Sequence, residues 1–413
     1  MKKTLFLIIL IVIAVLAYRH SKSDDKVQPQ EKTSVSAASS SGRTKTAAPT
    51  ESPTVTPEKT PDFTPAKTPE ESSEYPSFIP EGALVIDGTE ESRNYDYLVQ
   101  KAFDDRVPDF WLKNHRFFGT MDFKELNCGC FWVDTMRHSD YEYKNPDGSV
   151  DTYQHLYFTY YDYAEDELNR MKAELENAAY GFLSNVPAGA DKWQTIKSVH
   201  DQLCASVSYD HSLSQPHIYD AYGAIVLHKA VCAGYSSAFN YILRLSNIPS
   251  ESSYSDSHAW THIWLWSPES YADVTWDDTD LTDCYGRPYI SYDYFLISYD
   301  DLRKVDSHTF ISEEKSYFDS NYGDTPLYNN YYTHEGYMMY SYDEYAIIDA
   351  LRRQMDSNYL TIRFANESDY LRAKNWNSDM MNWILREVGY FGSYYYWWND
   401  AMRTFSFGLY ADI

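Results

Sequence analysis

Three side chains carry the most legible chemistry in this sequence: a cysteine, a histidine and an aspartate. Cys232 lies in Lys229-Ala230-Val231-Cys232-Ala233-Gly234-Tyr235-Ser236-Ser237-Ala238-Phe239. It opens a predicted helix over 232–245, with Tyr235, Phe239, Ile242 and Leu245 on its inward face. A thiol at a helix N-terminus meets unsatisfied N–H groups and the positive end of the peptide dipoles, and both favour the thiolate. His258 follows in Ser257-His258-Ala259-Trp260, and Asp273 in Ala272-Asp273-Val274-Thr275-Trp276-Asp277-Asp278. In that order they supply a nucleophile, a base and a group to orient the base, as thiol-dependent acyl transfer requires. The backbone N–H of Cys232 is a natural oxyanion donor. Gly234, with Ala233, Ser236 and Ser237, leaves room for a substrate backbone at the first turn. On the local sequence alone, a buried structural cysteine is the competing reading.

Two predicted strands, about 258–266 and 271–276, must bring the histidine and the acid together. In an antiparallel pair joined by a two- or four-residue loop, opposed positions have an odd sum, so His258 and Asp273 share a face. His262 passes the same test, which leaves two candidate bases. Asp277, Asp278 and Asp280 rival Asp273, but read as hydrogen-bonding turn residues. A calcium loop there would lack the Gly and bidentate Glu of an EF-hand. His258 and His262 have the outer spacing of a zinc-peptidase helix, yet Ala259 stands where the catalytic Glu belongs, and the segment alternates like a strand. No metal and no cofactor is expected. Tyr222, ten residues before the nucleophile, joins Gly234 and Trp260 as candidate substrate-binding residues.

The three blocks, in this order over about 190–280, resemble the transglutaminase-like superfamily. The resemblance selects His258 over His262, because His-Ala-Trp is the family's block, and selects Asp273 as the first Asp of its acid block. It implies an α+β fold: a papain-like, transglutaminase-like core with the nucleophile helix packed on an antiparallel sheet, plus flanking αβ regions. It also implies that Cys232 attacks a peptide or glutamine carboxamide carbonyl and that the thioester passes its acyl group to an amine or to water. Protein or peptide substrates follow from the same likeness. Fold analogy supports the reaction class and not the substrate. A non-catalytic surface binding or scaffold protein, using the fold and its aromatic surfaces, is the alternative.

The rest of the chain must present that core. Lys2 and Lys3 precede an apolar run, residues 5–18, that suits a signal-peptide core or a retained anchor, so 1–20 predicts export, either secreted or membrane-anchored with the globular region outside. Residues 21–80 read as a disordered Ser/Thr/Pro-rich linker, with prolines at 49, 53, 57, 61, 65 and 69. An N-terminal αβ region at 81–189, the core at 190–305 and an aromatic-rich αβ region at 306–413 complete the expected organisation. Within them the patterns predict strands at 131–135 and 156–163, and helices at 164–185 and 191–206. Further on they predict a strand at 359–364, a helix at 366–387 and a strand at 402–410. The first helix carries Leu168, Met171, Leu175, Ala179 and Phe182 as one stripe.

A formal charge of −26 excludes nucleic acid as a partner, because every approach to phosphate is repulsive; cell-envelope components remain open. The 40 tyrosines read first as core packing and second as carbohydrate-stacking surfaces. Five cysteines, at 128, 130, 204, 232 and 284, offer no zinc-ligand spacing, and their odd number leaves a thiol over in an exported chain. Cys204 falls in an apolar helical pattern and reads as core. Cys128 and Cys130 are buried thiols or members of separate disulfides.

Overall fold

The computed structural model describes residues 75–88, 92–114, 129–255, 257–265, 269–282, 288–308 and 329–410. The apolar run at 5–18, most of the linker, Cys128 and Cys284 lie outside them. Residues 84–413 belong to one compact unit. Among the described residues, no helix is long and apolar enough to cross a membrane.

The architecture is α+β. Its first sheet runs in the order β1-β2-β4-β3, formed by β1 (Val85–Asp87), β2 (Asp109–Lys113), β3 (Val133–Lys144) and β4 (Val150–Tyr160). The parallel β1–β2 pair needs a crossover, which helix α1 (Ser92–Asp104) provides; the other pairs are antiparallel. In α2 (Glu165–Ser184), Leu168, Met171, Leu175, Ala179 and Phe182 are all buried, as their spacing predicts. Helix α3 (Lys192–Ser206) starts at a capping box, in which Asp191 and Gln194 each accept from the other's backbone N–H. It buries Trp193, Ile196, Val199 and Leu203. A single hydrophobic cluster runs from Ile86 through these helices to Phe295, so the 84–189 segment and the domain after it share one core.

A short parallel pair, β5 (Ser208–Tyr209) and β6 (Lys229–Ala230), flanks helix α4 (Ala221–Ile225) and leads into α5 (Cys232–Leu245). Helix α5 packs on an antiparallel sheet of β7 (Ser250–Tyr254), β8 (Ala259–Ile263) and β9 (Ser270–Ala272). Thr261 opposes Ala272 and His262 opposes Tyr271, which is the predicted parity. The predicted strand over 271–276 ends early, at Ala272. Asp273 instead caps a helical turn, α6 (Val274–Asp277), by accepting the Trp276 N–H. An Asp side chain that closes on its own backbone ends a ladder and starts a turn.

The chain continues through a hairpin, β10 (Asp278–Thr282) and β11 (Pro288–Ile290), then α7 (Tyr299–Leu302), a 3-10 turn (Asp306–His308) and α8 (Tyr331–His334). A last sheet, ordered β12-β13-β15-β14, is formed by β12 (Met338–Met339), β13 (Tyr359–Phe364), β14 (Tyr394–Asn399) and β15 (Thr404–Leu409). With α9 (Glu344–Arg352), α10 (Glu367–Lys374) and α11 (Ser378–Val388) it encloses a second hydrophobic cluster. The helix predicted over 366–387 is therefore two helices, because Asn377 accepts the Met380 N–H and caps a new start. Two tyrosine pairs, Tyr292 on Tyr331 at 3.8 Å and Tyr289 on Tyr359 at 3.9 Å, stack around a cavity of about 450 Å³.

Candidate active site

Helix α5 places Cys232 at its first position and is tied down on its buried side. Its N-cap residue, Val231, makes no side-chain cap hydrogen bond to the first turn. Cys232 is half-buried with a free thiol, and Ala233 is half-buried beside it. One turn on, the Tyr235 hydroxyl lies 3.0 Å from the Val207 carbonyl and 2.6 Å from Asp278 Oδ2. Ser236 Oγ donates to the Trp260 carbonyl at 2.7 Å and lies 2.9 Å from Ser252 Oγ, which accepts from Asn240 at 2.8 Å. These bonds set the helix against β7 and β8, and so against the strand that His258 precedes.

Asp273 is the hub of the site. Its Oδ1 accepts the Trp276 N–H at 3.1 Å, and its Oδ2 accepts His258 Nε2–H at 2.6 Å and His308 Nε2–H at 2.8 Å. With Nε2 of His258 committed to the carboxylate, Nδ1 is the ring nitrogen left for Cys232, which lies near enough to act on the charge of the ring. Of the three predicted residues, His258 and Asp273 are in direct contact, and Cys232 lies within electrostatic reach of His258.

Electrostatics follow from those contacts. Burial works against a charged His258 ring, but the Asp273 carboxylate, its hydrogen bond and Cys232 outweigh it and lift the imidazole to about 10. Burial would raise Asp273; the charge and hydrogen bonds of His258, with those of His308, hold it well below the usual carboxylate range instead. At neutral pH the pair is imidazolium and carboxylate.

His262, the other candidate base, is paired elsewhere, with Nδ1 3.1 Å from Glu251 and Nε2 2.7 Å from Glu269. Asp277 faces His200, and Asp278 faces Tyr235. The side chain of Asp280 lies outside the described residues. The three residues named for substrate binding are packed. Trp260 is 1% exposed. Tyr222 is buried against Phe131 and hydrogen-bonds Glu174 at 2.8 Å. A Cβ on Gly234 would strike the Ile218 carbonyl and come within 2.8 Å of the Ala230 Cβ, so this glycine serves close packing of α5. Ser236, read as a small residue beside the substrate, is likewise buried in the helix–sheet network.

Sequence reasoning missed three neighbours. Trp276 is half-buried with its ring 5.6 Å from that of His258. Tyr219 is exposed and lies within electrostatic reach of Cys232. His308 is fully buried on the 3-10 turn. Trp276 stands inside the acid block and was available to a closer reading; the other two sit in segments with no periodic signal. His258, Asp273 and His308 present ligand atoms within 4.8 Å of one another. At 2.6 and 2.8 Å from the shared oxygen, the ring nitrogens are spaced as hydrogen-bond partners. Ligands of a tetrahedral zinc stand about 3.3 Å apart.

Residues 184–280 match the family model described as the transglutaminase-like superfamily. This stretch is a transglutaminase-like domain. It contains Cys232, His258 and Asp273 but not His308. Among solved structures the chain is similar to a TGase, with 12% identity and a TM-score of 0.24 over 47% of this chain and 60% of that one. The chain thus spans 60% of the length of that protein. It is also similar to a candidate cysteine protease from Cytophaga hutchinsonii, with 14% identity and a TM-score of 0.22 over 38% and 70% of the two chains. A third is menin, in a crystal structure that reveals its binding site for the Mixed Lineage Leukemia (MLL) protein, with 19% identity and a TM-score of 0.23 over 31% and 29%. Among curated proteins, none matches the sequence.

Proposed function

We propose that the transglutaminase-like domain is a thiol enzyme that transfers or hydrolyses the acyl group of protein or peptide amides through Cys232, His258 and Asp273. The observation that carries this reading is the 2.6 Å hydrogen bond from His258 Nε2 to Asp273, with the first residue of a helix, Cys232, within electrostatic reach of the same ring. The Cys232 thiolate attacks the amide carbonyl, and the Cys232 N–H helps hold the oxyanion. The His258 imidazolium gives its proton to the departing amine, which leaves a thioester and a neutral ring. An incoming amine or water then loses its proton to that ring as it attacks the thioester, and the sulfur leaves as thiolate beside the restored imidazolium. Asp273 stays ionised throughout and fixes the ring. The apolar run at 5–18 and the proline-rich spacer support an exported enzyme, tethered or released, that works on cell-envelope proteins.

Alkylation by iodoacetamide tests the reading. Cys232 is expected to react much faster than free cysteine at neutral pH and to lose that advantage in His258→Ala. A thiol no faster than free cysteine would favour the scaffold alternative. Incorporation of a small labelled amine into a glutamine-bearing protein separates transfer from hydrolysis.

A further inference from the structure

We infer that His308 is a fourth member of the site, a positioning residue that locks the Asp273 carboxylate by sharing its Oδ2 with His258. The inference rests on the thiol-enzyme reading and adds to it a residue that lies outside the transglutaminase-like stretch.

The geometry is specific. His308 is 1% exposed and ends the 3-10 turn Asp306–His308, with its backbone N–H on the Val305 carbonyl at 2.9 Å. Its ring stands edge-on to that of His258, with centroids 5.1 Å apart and planes at 87°. Trp260 at 5.0 Å, Trp276 at 4.8 Å and Tyr294 at 5.7 Å wall it in. A buried imidazole needs a partner for its N–H, and a backbone carbonyl would serve. This one takes the same carboxylate oxygen that orients His258. With Oδ1 held by the Trp276 N–H, the carboxyl has three donors and cannot rotate about its Cβ–Cγ bond without breaking one. Two donors on one oxygen also compete for its charge. His308 therefore moderates how strongly Asp273 stabilises the His258 imidazolium, whose other proton, on Nδ1, must leave with the amine. Cys232, Asp273, His308 and Tyr294 are the titratable groups that bear on this pair.

The test uses the full chain labelled with ¹⁵N-histidine, with His308→Phe and His308→Gln. Phe keeps an aromatic ring in the pocket and removes the donor; Gln keeps an N–H near the position of Nε2. Loss of a hydrogen bond to Asp273 is expected to move the His258 titration midpoint upward by roughly half to one pH unit in His308→Phe. The alkaline limb of Cys232 alkylation should move with it, and His308→Gln should restore both. A midpoint unchanged in His308→Phe, or equally shifted in both variants, overturns the inference, since a merely structural role moves neither selectively. Should His308→Phe not fold, the wild type and His308→Gln suffice. Two downfield ring N–H signals are expected in the wild type and one in the variant; a single signal in the wild type overturns it. A midpoint that shifts as expected while Cys232 alkylation ignores His258→Ala would refute the thiol-enzyme reading and leave the His308 assignment standing.

Discussion

Among the described residues two Cys-His-Asp clusters stand out, and the proposed chemistry belongs to only one of them. In the second, His200 and Cys204 lie one turn apart on α3, with Cys204 Sγ 3.9 Å from His200 Nε2 and that nitrogen 3.2 Å from Asp277 Oδ2. Asp277 ends the same helical turn that Asp273 begins. Residue types match the first cluster, yet here one nitrogen faces both thiol and acid while Nδ1 faces Asp201 at 3.0 Å, and His200 and Asp277 are 0% exposed and Cys204 4%. Cys204 lies in the last turn of its helix, where the dipole disfavours a thiolate, and burial pushes its thiol up to about 12. The acids diverge as well. Burial lifts Asp277 to about 7 against the opposing contacts of His200, whereas Asp273, with two imidazoles and an amide, is held well below the usual range. Reactivity therefore depends on helix polarity, access and the number of donors on the acid. The three residue types alone do not make a site.

The sharpest way to break that contrast is to exchange equivalent losses. Cys232→Ser should abolish labelling and turnover, and His258→Ala should lower the rate roughly 10³-fold or more. Cys204→Ala and His200→Ala should leave the rate per folded molecule within about tenfold of wild type. Rate loss from Cys204→Ala that rivals Cys232→Ser would mean that the buried cluster takes part in the chemistry.

Stability should show the reverse order. His200→Ala leaves Asp277 buried without its ring partner, and an unpaired buried acid costs about 3–5 kcal/mol. His258 is 9% exposed and lies near the half-buried Cys232, so His258→Ala should cost less. Denaturant midpoints at fixed pH compare them directly, and a larger loss from His258→Ala would reverse the assignment of structural and chemical roles.

Legibility in the sequence followed the range of the forces involved. The α2 stripe and the start of α5 were readable because helical burial repeats every three or four residues. The pairing parity of β8 and β9 was readable because pleating alternates strictly, although His258 and Asp273 themselves lie just outside the paired residues. The end of β9 was not, since a single Asp accepting the Trp276 N–H overrides a strand-like run of apolar residues. Tyr394 to Trp398 show no alternation, so β14 gave no signal. His308, 35 residues beyond Asp273 on a 3-10 turn, and His200, 77 residues before Asp277, are joined to the site only by tertiary contact.

A pH series should separate the clusters by their windows. His258 has a folded value of about 10, raised from an ordinary value of about 6.5. The stability it contributes is complete below about 6.5 and lost as pH rises through about 10. Asp277 is also raised, to about 7, so its contribution is complete below about 3.9 and lost as pH rises through about 7. Unfolding free energy should thus fall in two stages. Asp277→Asn should erase the lower stage, and His258→Ala the upper. A single stage removed by both variants would show that the two clusters titrate as one.

The smallest effect expected is at Ser236, which joins the helix of the reactive cluster to its strand. Ser236→Ala removes the 2.7 Å bond to the Trp260 carbonyl, while Ser252 keeps its donor from Asn240. One buried hydrogen bond of this kind is worth about 1 kcal/mol, and alkylation of Cys232 should fall by less than about tenfold. The carbonyl that loses its donor belongs to the residue two beyond His258, so any slackening appears in the distance between thiol and ring. A rate loss as large as that of His258→Ala would place the decisive difference between the clusters in the seating of α5 on β8, and not in the ring that the seating serves.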